Sequence, residues 1–316
     1  DRRPKDREEA AEGVAKAALP VMQALHRAHH SSDALSRQPV SFGLLRMANI
    51  EPLIAVAQAL HRLGAPDELR IHLCPYHARH PLLIRSGIEA TLDGVLSRHD
   101  EQAVFRNPEV RAAIDAAPQA QHLFLVLASP VAEVGRDHDY DWALVEPSSM
   151  RSLIQLAGRV RRHRRPSPSG EPNIAVFNTN LRHWLQPDQP AFRWPGFEDK
   201  DHRFASHDLA TLLPWPDGTP IDASPRLLAP QPLQARERLA DLEHERLAAM
   251  LLKPPPPQQR AHRRSSAPEA VHAAHWWRQP AGEVLVTAVL QQATPFRAST
   301  QEEELVLATD AEGTEI

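Results

Sequence analysis

The sequence has 316 residues, and its 36 lysines and arginines against 40 aspartates and glutamates give a formal net charge of −4. This balance excludes a uniformly basic nucleic-acid binder, so any contact with nucleic acid must be a local patch. The single cysteine, Cys74, excludes an internal disulfide framework and a cysteine-based zinc site, and it fits a reducing cytoplasm. No apolar run approaches the roughly 20 residues of a membrane span. The chain begins at Asp1 rather than at a methionine, so we expect a piece of a longer cytoplasmic protein with no membrane contact.

The hydrophobic pattern of the first 120 residues predicts an amphipathic helix followed by strands and helices in alternation. These elements are a helix over 8–29 interrupted near Pro20, a strand over 40–46, a helix over 50–63 ended by Gly64, a strand over 69–74, and helices over 81–98 and 107–116, the last capped by Asn107. Alternation of this kind builds βαβ units, and right-handed crossovers then give a mostly parallel sheet of about five strands.

The next stretch, 121–165, organises the rest of the chain. The continuous apolar run over 123–128 is typical of a strand covered on both faces. A polar loop with acidic residues and a second apolar strand follow it. Loops that leave buried parallel strands commonly build binding sites, so we expect the functional site here.

A helix with a dense arginine cluster closes this stretch. The serine pair at 148–149 is a suitable N-cap, and Gln155, Arg159 and Arg162 then recur at i, i+4 and i+7. This spacing predicts one amide and two guanidinium groups on one helix face, an arrangement suited to a polyphosphate. Gly158, unfavourable inside a helix, indicates a close backbone approach. Taken alone, the basic run is also typical of a solvated face or a general nucleic-acid patch.

After a predicted strand over 174–177, the chain becomes rich in proline. Isolated aromatic residues in and beside this segment either stack on bases or pin an extended segment onto the preceding domain; they are Trp184, Trp194, Phe197 and Trp215. An amphipathic helix is predicted over 233–252 and is stopped by four prolines. Strand character over 282–290 and 304–308 predicts a small C-terminal domain.

Two motifs carry a resemblance to a known family. Residues 155–162, QLAGRVRR, resemble motif VI of superfamily 2 helicases, QxxGRxxR, and residues 129–139, SPVAEVGRDHD, resemble motif V. A generic basic patch requires no motif V upstream. The two motifs together are therefore a more specific signal for a helicase than the basic run alone. The sequence of residues 129–164 is most similar to that of the CRISPR-associated helicase-nuclease of type I-F systems.

The resemblance implies an α/β fold in which a RecA-like parallel sheet is flanked by helices. It places the second helicase lobe in this chain, and the expected divisions are an N-terminal helical segment over 1–35, the lobe over 36–185, a Pro-rich linker and helix over 186–257, and a basic linker with a small C-terminal domain over 258–316.

The same resemblance implies roles for individual residues. They fall into a catalytic group of Gln155, Arg159 and Arg162, an ATP-binding group of Gly135, Asp137 and Gly158, and a nucleic-acid-binding group of Arg46, His77, Arg79 and Ser129. A surface salt bridge explains Arg46 equally well. We expect no metal ligands in this chain, because its histidine pairs lack an acidic partner in the sequence.

The sequence lacks a GxxxxGK[ST] loop, a DExH or DExD motif and a histidine–aspartate nuclease cluster. We therefore expect the chain to be inactive alone, ATP and Mg²⁺ to be shared with a first lobe, and the nuclease metal ions to lie in a separate HD domain. The implied partners are single-stranded DNA, a CRISPR RNA-guided surveillance complex, CRISPR adaptation proteins and the remaining helicase and nuclease domains. The alternatives are another superfamily 2 helicase, a restriction-type motor, or a nucleic-acid-binding lobe that hydrolyses nothing.

Overall fold

The computed structural model describes residues 4–133, 135–164, 169–216 and 218–252. The strands are β1 (Ser31–Ser32), β2 (Pro39–Arg46), β3 (Leu69–Tyr76), β4 (Gln121–Ala128), β5 (Trp142–Val145) and β6 (Ile174–Val176). The helices are α1 (Arg7–His29), α2 (Ile50–Leu63), α3 (Leu82–Leu96), α4 (Pro108–Asp115), α5 (Met150–Ala157), α6 (Leu181–Leu185), α7 (Leu209–Leu212), α8 (Ser224–Leu227) and α9 (Leu239–Leu252), with 3-10 turns at Ala103–Arg106 and Pro130–Glu133. The strands predicted over 282–290 and 304–308 lie outside the described residues.

The strands form one sheet in the order β3-β4-β2-β5-β6, and every pair along this order is parallel. The two-residue β1 adds to β2 in the antiparallel sense. At the centre of the sheet, Gly43 lies opposite Leu125 on one side and Trp142 on the other. The predicted RecA-like parallel sheet flanked by helices is confirmed. The five parallel strands, β2 to β6, all point their carboxyl ends to one edge, where sites form in such folds.

Helices cover both faces of the sheet, so the central strands are buried on both sides, as their continuous apolar runs predict. Phe42 and Leu44 point into the core beneath α3, α4 and α5, whereas Leu45 points into the core beneath α1 and α2. A Cβ added to Gly43 would lie 2.3 Å from the ring of Trp142, which is fully buried. Glycine is therefore required where the indole crosses β2.

The first helix, α1, is continuous, contrary to the predicted interruption near Pro20. Proline removes one backbone hydrogen bond and leaves the carbonyl four residues earlier without a donor. Both Pro20 and Lys16 are exposed, so water can satisfy that carbonyl and the helix persists. Asp6 caps the helix by accepting bonds from two amides of its first turn, at 3.0 and 2.9 Å. Among the described residues, none of the helices is long and apolar enough to cross a membrane.

The last described helix, α9, begins at Leu239, later than the predicted start at 233. A turn closes first, because the amide of Gln234 donates to Asp241 at 2.9 Å while its carbonyl accepts two later amides. Leu239 and Leu242 pack in the core. Glu243 accepts the amide of Met150 at 2.5 Å, which ties α9 to the start of α5.

Residues Asp1–Ala248 form one compact unit that contains the whole sheet. The N-terminal helical segment predicted over 1–35 belongs to this unit, where α1 packs against α2 and the sheet. The second unit, Ala249–Ile316, falls almost entirely outside the described residues.

Candidate functional site

The helix α5 supplies one wall of the site, and it is shorter than the sequence predicts. Ser149 caps it by accepting a bond from a first-turn amide at 3.1 Å. The helix ends at Ala157, with Gly158 as its C-cap. The predicted helix face that carries Arg159 and Arg162 is therefore wrong, since both arginines lie beyond the helix.

Backbone pairing with Tyr140, two residues before β5, takes the arginine segment out of the helix. The amide of Tyr140 donates to the carbonyl of Arg159 at 2.9 Å, and the amide of Arg161 donates to the carbonyl of Tyr140 at 2.8 Å. These bonds form a parallel bridge between Tyr140 and Val160. Arg161 has a φ of 49°, a left-handed conformation that interrupts any right-handed helix. Two hydrogen bonds at the edge of β5 thus replace the expected last helical turn.

A buried charge cluster fixes the same segment. The side chain of Arg164 is buried and donates to Asp139 at 2.8 Å and to Asp141 at 2.6 Å. Arg98, also buried, donates to Asp141 at 2.6 Å. Burial alone would raise the pKa of Asp141, but the charges of Arg98 and Arg164 hold it below its ordinary value. No role was predicted for Arg98, Asp141 or Arg164, although the acids at alternate positions in the loop before β5 are a visible signal in the sequence.

An open cleft of about 400 Å³ lies between α5, the arginine segment and the loop after β4. The residues that line it are Glu133, Gly135, Ile154, Gln155, Gly158, Arg159 and Arg162. The structure thus brings together all three residues of the predicted catalytic group and both glycines of the predicted ATP-binding group. The two arginines do not lie on α5 as predicted, but they still line the same cleft as Gln155.

Positive charge in this cleft is only partly compensated. Arg159 donates its Nη2 to the carbonyl of Glu133 at 3.1 Å, while its buried Nε finds no partner among the described residues. Burial, together with the charge of Arg162, lowers the pKa of Arg159. An anion placed between the two guanidinium groups would satisfy the unpaired N–H and offset the repulsion.

Of the two aspartates that flank His138, one is accessible and one is not. Asp137 is exposed and accepts the Nε of Arg162 at 2.7 Å and pairs with His163 at 3.0 Å. Asp139 is fully buried in the charge cluster. Gly135, with a φ of 72°, makes the turn that leads to Asp137. Asp137 does not line the cleft itself, but it contacts the lining residue Arg162, whereas Asp139 is closed off from solvent.

His99 completes a group of three with Asp137 and His163, whose ligand atoms all lie within 4.8 Å of one another. The sequence predicted no metal ligands, and His99 is separated from the other two along the chain. The guanidinium of Arg162, 2.7 Å from the Asp137 oxygen, opposes a cation at this position. The pairing of His163 with Asp137 accounts for the arrangement without an ion.

Arg46 lies beneath the surface, contrary to both sequence-based expectations for it, a DNA contact and a surface salt bridge. Its side chain is 1% exposed, and its Nε donates to Glu133 at 2.6 Å. Its two terminal nitrogens donate to the carbonyl of Glu146 at 2.5 Å, to Ser148 at 2.6 Å and to Ser152. These partners lie 87 to 106 residues away in sequence, so no local pattern could indicate them. Arg46 holds the cleft residue Glu133 in place.

The other three residues predicted to bind nucleic acid follow the neighbouring strands β3 and β4 at the carboxyl edge of the sheet. Arg79 has a 62% exposed side chain, 3.6 Å from an oxygen of Glu51. His77 is buried and stacks on His80, with ring centroids 3.8 Å apart. Ser129 is also buried. Among these three residues, Arg79 presents the accessible charge.

Comparison with known proteins gives consistent matches. A family model described as CRISPR-associated nuclease/helicase Cas3, C-terminal, matches residues 39–165. The chain is 50% identical over 296 residues to CRISPR-associated nuclease/helicase Cas3 subtype I-F/YPEST of Pseudomonas aeruginosa, an alignment that covers 93% of this chain and 26% of that protein. It is 42% identical over 299 residues to the protein of the same name from Pectobacterium atrosepticum, again with 93% and 26% covered.

Among solved structures, the crystal structure of T. fusca Cas3-AMPPNP is a match. The matched region covers 52% of this chain and 16% of the T. fusca chain, with 18% sequence identity and a TM-score of 0.37. The chain spans about a quarter of the length of the curated relatives that it matches. The chain belongs to the CRISPR-associated Cas3 family and matches its C-terminal part.

Proposed function

We propose that this chain is the second helicase lobe of a Cas3 protein and that the cleft beside α5 binds the phosphates of ATP. The observation that carries the proposal is the convergence of Gln155, Arg159 and Arg162 on one open cleft, in which the Nε of Arg159 is buried and unpaired within the described chain. A triphosphate offers the anionic oxygens that such a set of donors lacks.

The cleft fits a nucleotide whose Mg²⁺ is held elsewhere. Glu133 is the one carboxylate among its lining residues, and it already accepts bonds from Arg46 and Ser152. Mg²⁺ supplies charge neutralisation along the phosphates when it is bound. The first lobe, with the phosphate-binding loop and the acidic motif that this sequence lacks, would hold it.

In this arrangement the two arginines act on the γ-phosphate. Arg159 and Arg162 would stabilise the charge that develops as the phosphoryl group is transferred to water, and arginines in this role supply on the order of 10³ to 10⁵ in rate in other phosphoryl-transfer enzymes. Arg162 would exchange its contact with Asp137 for a phosphate oxygen. Gln155 would orient the attacking water or the phosphate, and Gly135 and Asp137 would lie near the ribose.

Arg46 would couple nucleotide binding in the cleft to the edge of the sheet that contacts nucleic acid. Its bonds connect the carboxyl end of β2 with Glu133 in the cleft and with Ser152 in α5. Arg79, exposed at the carboxyl edge, would hold the backbone of a DNA strand without reading its bases. Closure of the cleft would then shift the edge that contacts DNA.

For the whole protein we propose ATP-dependent unwinding and degradation of target DNA in CRISPR interference, in the cytoplasm. The names of the relatives, nuclease/helicase of subtype I-F, support this proposal. The partners would be single-stranded DNA, the RNA-guided surveillance complex, the adaptation proteins and the other helicase and nuclease domains. A different superfamily 2 motor would hydrolyse ATP and unwind DNA without the guide-RNA complex.

The test is ATP hydrolysis stimulated by single-stranded DNA in the full-length protein, with Arg159→Ala and Arg162→Ala compared with wild type. We expect losses of 10²-fold or more, roughly 3 kcal/mol in the barrier, with DNA affinity retained. The matched control is Arg106→Ala, which removes a 68% exposed arginine outside the cleft. Unchanged hydrolysis with weakened, salt-sensitive DNA binding would contradict the proposal and favour a lobe that binds nucleic acid but hydrolyses nothing.

A further inference from the structure

Trp194 differs from the other aromatic residues of the proline-rich segment. Trp184, Phe197 and Trp215 pack against the core, as the pinning interpretation predicts. Trp194 instead is 72% exposed. An indole carries a large apolar surface that is unfavourable in water, and tryptophan is enriched at binding interfaces relative to the rest of the protein surface.

The loop that presents Trp194 is held rigidly. Glu198 is buried and accepts the amides of Ala191 and Phe192 at 2.7 and 2.9 Å, while its own amide donates to the carbonyl of Phe192 at 3.0 Å. Gly196 is wedged so tightly that an added Cβ would lie 2.3 Å from the carbonyl oxygen of Ser148. The exposure of Trp194 is therefore a property of a well-bonded loop.

The backbone of Trp194 is also strained. Its φ of 40° lies in the left-handed region, which costs a residue with a side chain about 1–2 kcal/mol. Strain of this kind persists where the surrounding structure enforces it, and it is concentrated at functional sites. The protein thus accepts both strain and exposed apolar surface at one position.

Two arginines near this loop lack a counter-charge. Arg182 and Arg193 form no ion pair with a carboxylate in the described part of the chain. Burial, together with the charge of Arg193, lowers the pKa of Arg182. The buried Glu146 offsets part of this effect, but its oxygens already accept two backbone amides. A phosphate between the two guanidinium groups would relieve their repulsion.

The same elements lie at the carboxyl edge of the sheet. Gly196 packs on Ser148, which follows β5, and Arg182 donates to Asn49 at 3.3 Å, after β2. Asn49 begins α2 without capping it through its side chain, so the first amides of that helix remain available to an anion. Arg79 stands after β3 at the same edge. A strand of nucleic acid crossing this edge would meet all of these groups.

We propose that Trp194, Arg182 and Arg193 form a second contact for single-stranded nucleic acid, in which a base stacks on the indole and the arginines hold the flanking phosphates. This inference rests on the proposed function in one respect, that the lobe binds a single strand. It adds a stacking platform outside the helicase motifs. Stacking tolerates any base, so the contact would not select sequence.

The test is binding of a fluorescent oligo(dT) strand to the full-length protein, measured by anisotropy at several salt concentrations. We expect Trp194→Ala to weaken binding by about 10-fold or more and Trp194→Phe to retain most of the affinity. Arg182→Ala and Arg193→Ala should each reduce the slope of log affinity against log salt by about 0.7, the value for one phosphate on a single strand. The matched control is Leu227→Ala, which removes a side chain that is 78% exposed.

Equal affinity of wild type and Trp194→Ala, or equal losses in Trp194→Ala and Leu227→Ala, would overturn the stacking contact. A Trp194→Phe variant as weak as Trp194→Ala would overturn it as well, and this variant keeps the test valid should the alanine variant fold poorly. If the wild-type protein does not bind the strand at all, the proposed function fails too. If wild type binds while Trp194→Ala is unaffected, only the present inference fails.

Discussion

Replacement of Arg46 by methionine tests the buried network beneath the cleft. The side chains of Arg46 and Glu133 are 1% and 4% exposed, so loss of the arginine leaves a buried carboxylate without its counter-charge. Removing one partner of a buried ion pair costs about 3–5 kcal/mol. The carbonyl of Glu146 and two serines lose a donor as well. We expect the free energy of unfolding to fall by about 4 kcal/mol in urea titrations of the 316-residue chain.

Two further variants separate the ion pair from general damage to the core. The double variant Arg46→Met with Glu133→Leu removes both charges, and it should recover about 2 kcal/mol or more of the loss, because an apolar pair of similar volume needs no counter-charge. Arg106→Met breaks an ion pair with Asp100 whose side chains are 68% and 59% exposed, and it should leave the free energy of unfolding nearly unchanged, because water screens exposed charges. A loss below about 1 kcal/mol in Arg46→Met would refute the reasoning.

Two predictions concern the face of the sheet that is covered by α1 and α2, opposite the face covered by α5. Burial lowers the pKa of His26 from 6.5 to about 4, so the unfolded chain binds this proton more readily, and stability present above pH 6.5 is lost as the pH falls towards 4. We expect His26→Gln to remove about 2 kcal/mol of the decrease in unfolding free energy between pH 7 and pH 5; an unchanged pH dependence would contradict this. Gly43→Ala forces a methyl group against Trp142 and should cost about 1–3 kcal/mol by thermal unfolding. Gly87→Ala in α3, where a Cβ meets nothing within 4 Å, should instead stabilise by about 0.5–1 kcal/mol, and a similar loss in both variants would refute the packing argument.

The sheet was predictable because its signal is local. Strands buried on both faces, such as β2 and β4, have largely continuous apolar sequences. Because they alternate with helices along the chain, few strand orders are possible. Helix boundaries were predictable where a cap lies in the sequence, as at Asn107, which accepts two amides of the first turn of α4. The extent of α1 was not, since the tolerance of Pro20 depends on which face of the helix meets solvent.

The sequence could predict which residues belong to the site, but not how the fold positions them. Motif resemblance named Gln155 and Arg159, which do share a cleft. Arg46 was misplaced because its burial arises from partners far along the chain. Trp194 was grouped with three other aromatic residues, because sequence composition cannot show which of several aromatic side chains a fold leaves in water.

The early end of α5 changes what controls the two cleft arginines. On one helix face they would be fixed relative to each other by helix geometry alone. Instead, they lie on a segment held by Tyr140 at the edge of β5 and by the bonds between Asp139 and Arg164. Their positions therefore depend on a buried charge cluster whose residues do not line the cleft. Because Asp141 of this cluster also accepts the amide of Phe42 in β2 at 2.7 Å, a change that moves the segment also disturbs the sheet, and the cleft and the sheet edge can respond together.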